Sequence, residues 1–125
     1  MKNACLDGAT DVSVSMLDRI TEANFETRIE KGGMPALIIF TAPECRPCKL
    51  IEADLCSLEE SYKGRVSFFR VNTAEDIELT RRLSVVSTPT LVLFINGKPA
   101  LRMVGYVTKM DVSTRIDDRL ELLSD

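Results

Sequence analysis

Two unbroken apolar runs constrain this chain more than anything else in it: Ala36-Leu37-Ile38-Ile39-Phe40, flanked by Pro35 and Pro43, and Leu91-Val92-Leu93-Phe94-Ile95, entered from Pro89. Neither run alternates, so a strand made from either has no polar face to give to water and must be covered on both sides. Helical patterns lie between and around them. Thr21 reads as the N-cap of a helix over Glu22 to Lys31, with Phe25 and Ile29 spaced i, i+4 and Gly32-Gly33 as the stop. From Cys45, Cys48, Ile51, Leu55 and Leu58 follow at three- and four-residue steps until Gly64. Asp76 to Leu83 predicts a short helix with Ile77 and Leu79 apolar, and Thr108 with Asp111 opens a last helix whose stripe is Val112, Ile116, Leu120 and Leu123.

The remaining strands are Val66 to Val71, Ala100 to Val104 and a short first one over Val12 to Leu17. Asn96-Gly97 joins the second apolar run to Ala100–Val104 as a hairpin. The order is β-α-β-α-β-α-β-β-α: an α/β fold with a central mixed sheet flanked by helices on both faces, parallel at first and closed by an antiparallel hairpin. The 125 residues hold no linker-like stretch, so residues 12–125 are expected to form one domain behind a flexible tail, 1–11.

Charge and hydropathy exclude several functions. The net charge is −3, with 19 acidic and 16 scattered basic residues, which gives nucleic-acid binding no electrostatic support. No apolar run approaches a membrane span, and Met1 to Val14 lacks the apolar core of a secretory signal, so a cytoplasmic location is expected. There is no histidine, which removes Cys-His and Ser-His catalysis and the commonest metal ligand.

In a reducing compartment four cysteines do not read as a structural disulfide framework, and Cys45-Arg46-Pro47-Cys48 calls for a redox or a metal explanation. Cys45 stands where a buried strand gives way to a helix, so open N–H groups and the positive end of the helix dipole favour its thiolate, the nucleophilic form. Cys48 lies about one turn on and deeper, placed to resolve a mixed disulfide. Pro47 falls in the first helical turn, where its missing N–H costs little. A metal site needs two more ligands, Cys5 and Cys56. Cys56 lies eight residues beyond Cys48, about 12 Å along a helix, too far for a shared tetrahedral site or a Cys48–Cys56 disulfide. Cys56 reads as a small buried hydrophobe beside Leu55.

Several separated motifs together resemble the thioredoxin family. Leu37 to Lys49 looks like its strand and active-site turn, Ser87-Thr88-Pro89-Thr90-Leu91 like its cis-proline loop, and Phe94-Ile95-Asn96-Gly97 with Gly105 like its closing hairpin; Thr21 to Phe25 resembles the entry to its first helix. The resemblance covers residues 12–123 and implies the thioredoxin fold. It further implies a protein-disulfide oxidoreductase in which Cys45 attacks and Cys48 resolves, with no cofactor and no metal. Disulfide-containing protein substrates would meet Arg46, Pro47, Thr88, Pro89 and Gly105, and a thioredoxin reductase or equivalent donor would restore the dithiol. The resemblance also implies a cis Thr88–Pro89 bond, whereas the residues alone read Pro89 as the start of a strand. A monomer is expected, without nucleic-acid or membrane partners.

This chain departs from the family at four places. Glu44 stands where the family carries a tryptophan, Arg46 where it carries a glycine, and Ile39 where it buries an aspartate. The lysine that pairs with that aspartate corresponds, on the sequence, to Phe68. Glu44 is therefore the candidate for taking a proton from Cys48 and tuning the pair. The alternative function is a redox-inactive binding module on the same fold.

Overall fold

The computed structural model describes residues 17–123. Its strands are β1 (Asp18–Arg19), β2 (Ala36–Thr41), β3 (Ser67–Asn72), β4 (Thr90–Ile95) and β5 (Lys98–Val104). The helices are a π-helical turn, Glu26–Glu30, and α1 (Arg46–Ser61), α2 (Ile77–Arg82) and α3 (Lys109–Leu123). The sheet order is β1-β3-β2-β4-β5. β1 and β2 run parallel to β3, whereas β4 is antiparallel to both β2 and β5.

The two apolar runs become the central strands β2 and β4, and every residue of both is buried. Their side chains alternate between two cores, as a strand covered on both faces requires. Leu37, Ile39, Leu91 and Leu93 meet Ile51 and Leu55 of α1 and Val112 and Ile116 of α3 on one face. Ile38, Phe40, Val92 and Phe94 meet Phe25, Ile29 and Leu79 on the other. Phe25 and Phe94 pack edge to face at 5.7 Å. Each face is thus sealed by the helical stripes that the spacing predicts.

Some boundaries differ from the sequence reading. The first strand forms at Asp18–Arg19, beyond the expected stretch, of which residues 12–16 lie outside the described residues, as does the 1–11 tail. Arg19 is tied to Asp76 at 3.0 Å, so the short edge strand is held by its ion pair with the start of α2 as well as by β3. The first helix shortens to a π turn because Lys31 N–H reaches back five residues to Glu26 O, after an ordinary four-residue bond from Arg28 N–H to Asn24 O. Thr21 accepts from Ala23 N–H across a local turn and does not cap that helix. Ile77 is exposed while Leu79 is buried. Leu123, the last member of the α3 stripe, has a side chain outside the described residues.

Asn96 and Gly97 both have positive φ, 56° and 79°, the pattern of a type I′ hairpin turn. A Cβ on Gly97 would lie 2.6 Å from Glu30 O, so close backbone approach also demands glycine there. Tyr62, just past the end of α1, donates its hydroxyl to Asp117 Oδ1 of α3 at 2.5 Å and lies 2.9 Å from Ser113 Oγ. This ties the far end of the helix carrying the cysteines to the C-terminal helix.

Candidate active site

The end of β2 and the start of β4 lie side by side, because Phe40 pairs with Thr90 across the antiparallel register. Whatever follows Thr41 therefore meets whatever precedes Thr90. The first segment is the turn Ala42-Pro43-Glu44-Cys45, and the second is Ser87-Thr88-Pro89.

Cys45 is the N-cap of the 16-residue helix α1, with extended backbone angles and its Sγ accepting from Cys48 N–H at 3.2 Å. A sulfur in the place of a capping oxygen sits at the positive end of the helix dipole, among N–H groups that have no helical partner. Pro47 falls within the first turn. Cys45 and Cys48 are joined by a disulfide, their Cα atoms 5.2 Å apart. The two sulfurs are not equivalent. Cys45 is partly exposed, whereas Cys48 is 0% exposed beneath it.

The Thr88–Pro89 peptide bond is cis, as the resemblance implies and the residues alone did not. Pro89 is buried and its carbonyl accepts from Gly105 N–H at 2.9 Å, while Thr90 Oγ1 donates to Ser87 O at 2.8 Å. Gly105 has φ +89°, and a Cβ there would touch nothing within 4 Å. Its backbone explains the glycine, and the space above it is open. A cavity of about 310 Å³ adjoins the loop, lined by Ala42, Thr73, Thr80 and residues 85–88. Thr73 and Thr80 donate their hydroxyls to Thr41 O and Asp76 O. A larger groove, about 860 Å³, lies between the distal parts of α1 and α3 and shares no residue with the cysteine turn.

Glu44 and Arg46 are both exposed beside Cys45. Lys49 donates its ammonium to Pro43 O at 3.2 Å. Cys56 is buried on α1 within the sheet-facing core and outside the disulfide, and Cys5 lies outside the described residues.

One assignment is corrected by the register. The Cα partner of Ile39 on β3 is Arg70, and Phe68 pairs with Leu37. Ile39 and Phe68 share one core, so by two-residue alternation Arg70 leaves the strand on the face of Ile39. Ile39 is apolar, then, and a cation, Arg70, is its neighbour across the β2–β3 pair. Arg70 Nε donates to Leu17 O at 3.3 Å. The signal was present in the sequence as the alternation Phe68, Arg70, but the strand pairing that gives it meaning was not.

The thioredoxin family model matches residues 16–118, from β1 through most of α3. The chain belongs to the thioredoxin family. Among similar proteins, a thioredoxin of Alicyclobacillus acidocaldarius subsp. acidocaldarius is 32% identical over 102 residues, which cover 82% of this chain and 96% of that protein. A thioredoxin of Staphylococcus aureus is 30% identical with the same two coverages. A chloroplastic M-type thioredoxin of Brassica napus is 30% identical over 102 residues, and the matched region spans 58% of its length. With a disulfide at the family's active-site position, this thioredoxin-family chain is a thiol–disulfide oxidoreductase.

Proposed function

We propose that Cys45 is the nucleophile and Cys48 the resolving thiol of a reversible exchange with protein disulfides. The observation that supports this order is the asymmetry of the pair: Cys45, the N-cap of α1, is partly exposed, and Cys48 is 0% exposed. Cys45 thiolate attacks one sulfur of a substrate disulfide, forming a mixed disulfide and releasing the first substrate thiolate. Cys48 then gives up its proton and attacks Cys45 Sγ, which closes the Cys45–Cys48 bond and releases the second substrate thiolate. The substrate gains two electrons and the protein loses two. A flavoprotein reductase or an equivalent dithiol donor returns them.

Substrate binding is assigned to Arg46, Pro47, Thr88, Pro89 and Gly105, with the Thr88 backbone pairing to an extended substrate segment. Supporting this is the meeting of their two segments at one end of the sheet. Glu44, exposed in the turn, is assigned the proton from Cys48, since Ile39 offers no carboxylate beneath. The protein is assigned to act as a monomer in the cytoplasm. No helix among the described residues is long and apolar enough to cross a membrane.

The test is reduction of insulin disulfides by dithiothreitol. The intact protein should accelerate it, Cys45→Ser should abolish the acceleration, and Cys48→Ser should accumulate a mixed disulfide through Cys45. Trapping through Cys48 would reverse the assignment. An intact protein that binds substrate without turnover would leave only a binding module.

A further inference from the structure

We infer that Glu44 and Arg46 select substrates by the order of charges about the attacked cysteine. The turn reads anion, sulfur, cation, and favours a substrate cysteine flanked by one basic and one acidic residue, in one of the two orders. This rests on Cys45 being the attacking thiol. Glu44 and Arg46 are the covalent neighbours of Cys45, and both are exposed. Consecutive Cα atoms lie about 3.8 Å apart, so opposite charges are carried on either side of the residue that bears the sulfur. Among the described residues neither side chain makes an ion pair or a hydrogen bond, although Arg19, Arg28, Lys31, Arg81 and Arg82 all pair with carboxylates elsewhere on the surface. Nor does Arg46 serve its own helix. α1 has no acid in its first turn and opens on this cation, at the end where the helix dipole favours anions.

The segments beside the turn carry no charge. Residues 85–90, with the cis-proline, and 103–108, with Gly105, are all neutral, and Gly105 N–H on Pro89 O joins the two at 2.9 Å. Val86, Val104 and Tyr106 are their large exposed side chains. The cations that bracket residues 103–108 are engaged elsewhere: Arg102 donates to Leu83 O at 2.8 Å and Lys109 to Ser57 Oγ at 2.6 Å. On α1, Lys49 lies on Pro43 O, and Glu52 follows one turn beyond Cys48. A substrate segment between the cysteine turn and the cis-proline loop thus meets neutral surface on one side and two opposite charges on the other. That pattern has a direction, so it distinguishes a charged segment from its reverse: one order places unlike charges together, the other like charges.

The probes are two short capped peptides, each used as its symmetric disulfide dimer and identical in composition and net charge. One has lysine before the cysteine and glutamate after it; the other has the reverse. In the reduced full chain carrying Cys48→Ser, attack by the Cys45 thiolate forms one mixed disulfide and releases one peptide thiolate, with no resolving step. The two dimers compete, and peptide mapping reads the yield of each at Cys45. One peptide should be favoured on the order of three- to tenfold at low salt, and less so in about 0.5 M salt. Exchanging the charges, Glu44→Arg with Arg46→Glu, should invert the preference, and removing them, Glu44→Gln with Arg46→Gln, should abolish it. A general change in Cys45 reactivity cancels in the ratio, and the same competition with the intact reduced protein checks that Cys48→Ser itself does not set it. Equal use of the two peptides by the unmodified turn, or an unaltered preference after the exchange, overturns the inference and leaves Cys45 as the nucleophile. If neither peptide forms a mixed disulfide at Cys45, the nucleophile assignment fails and the inference with it.

Discussion

Removing the Tyr62 hydroxyl is a clean way to ask what holds the two long helices together. Tyr62 is 2% exposed, and its hydroxyl donates to Asp117 Oδ1 at 2.5 Å with Ser113 Oγ at 2.9 Å. Tyr62→Phe keeps the ring, which packs on Phe68 at 5.9 Å and beneath the Arg65 guanidinium at 4.8 Å, so no cavity forms. Only the contacts of the hydroxyl, to Asp117 and to Ser113, are lost. A bond to a charged acceptor contributes about 1.5–3 kcal/mol net, but Asp117 is exposed and water can replace its partner. The expected loss is therefore at the low end, about 1–2 kcal/mol, or several degrees in Tm for a chain of this size.

The same contact makes a pH prediction. Burial, and then the bond to Asp117, raise the Tyr62 hydroxyl above its ordinary value of 10. The folded state thus favours the protonated phenol. Its contribution is fully present below the unfolded value and is lost as pH rises through the folded one. Urea unfolding of Tyr62→Phe and the unmodified protein should show a constant stability gap from neutral pH to pH 9, narrowing above about pH 10. A gap below about 0.5 kcal/mol at pH 7, or one that widens in alkali, would refute the reasoning.

Three further outcomes follow from other parts of the molecule. Gly97→Ala combines a positive φ with a Cβ 2.6 Å from a backbone oxygen, and should cost about 2 kcal/mol or more in denaturant unfolding; a wild-type midpoint would mean that the turn does not approach Glu30. Ile39→Asp buries a carboxylate at a position 0% exposed and should destabilise by about 3 kcal/mol or more. Because Arg70 is its register partner, adding Arg70→Met should cost at least about 1 kcal/mol more in that background than alone, and additive effects would remove Arg70 from the pair. Glu44→Gln should slow resolution of the mixed disulfide on the order of tenfold near neutral pH, read by stopped-flow, and an unchanged pH profile would exclude Glu44 as the proton acceptor.

The central strands were legible because an apolar run has no alternative to burial, and their residues divide between the two cores as alternation requires. The cysteine turn was legible for a related reason: a Cys-x-x-Cys at a strand-to-helix junction puts one sulfur at the cap and the other inside. Pairing was not legible. Which residue of β3 stands beside Ile39 depends on register between distant segments, and the reading that named Phe68 missed by one alternation step. The cis Thr88–Pro89 bond has no local signal strong enough to overcome the rarity of cis proline, and only the resemblance implied it. The Lys49 contact with Pro43 O was equally invisible, because a lysine on an exposed helix face carries no mark of where its ammonium rests.

The most direct test of the account is the equilibrium between the Cys45–Cys48 dithiol and its disulfide in graded dithiothreitol or glutathione buffers, with free thiols trapped and mapped. The account predicts one reversible two-electron couple confined to these cysteines, near the thioredoxin value of about −270 mV. A potential near about −180 mV would point to an oxidant or isomerase in place of a reductant. Two cysteines that stay reduced across the whole range would contradict the exchange mechanism itself.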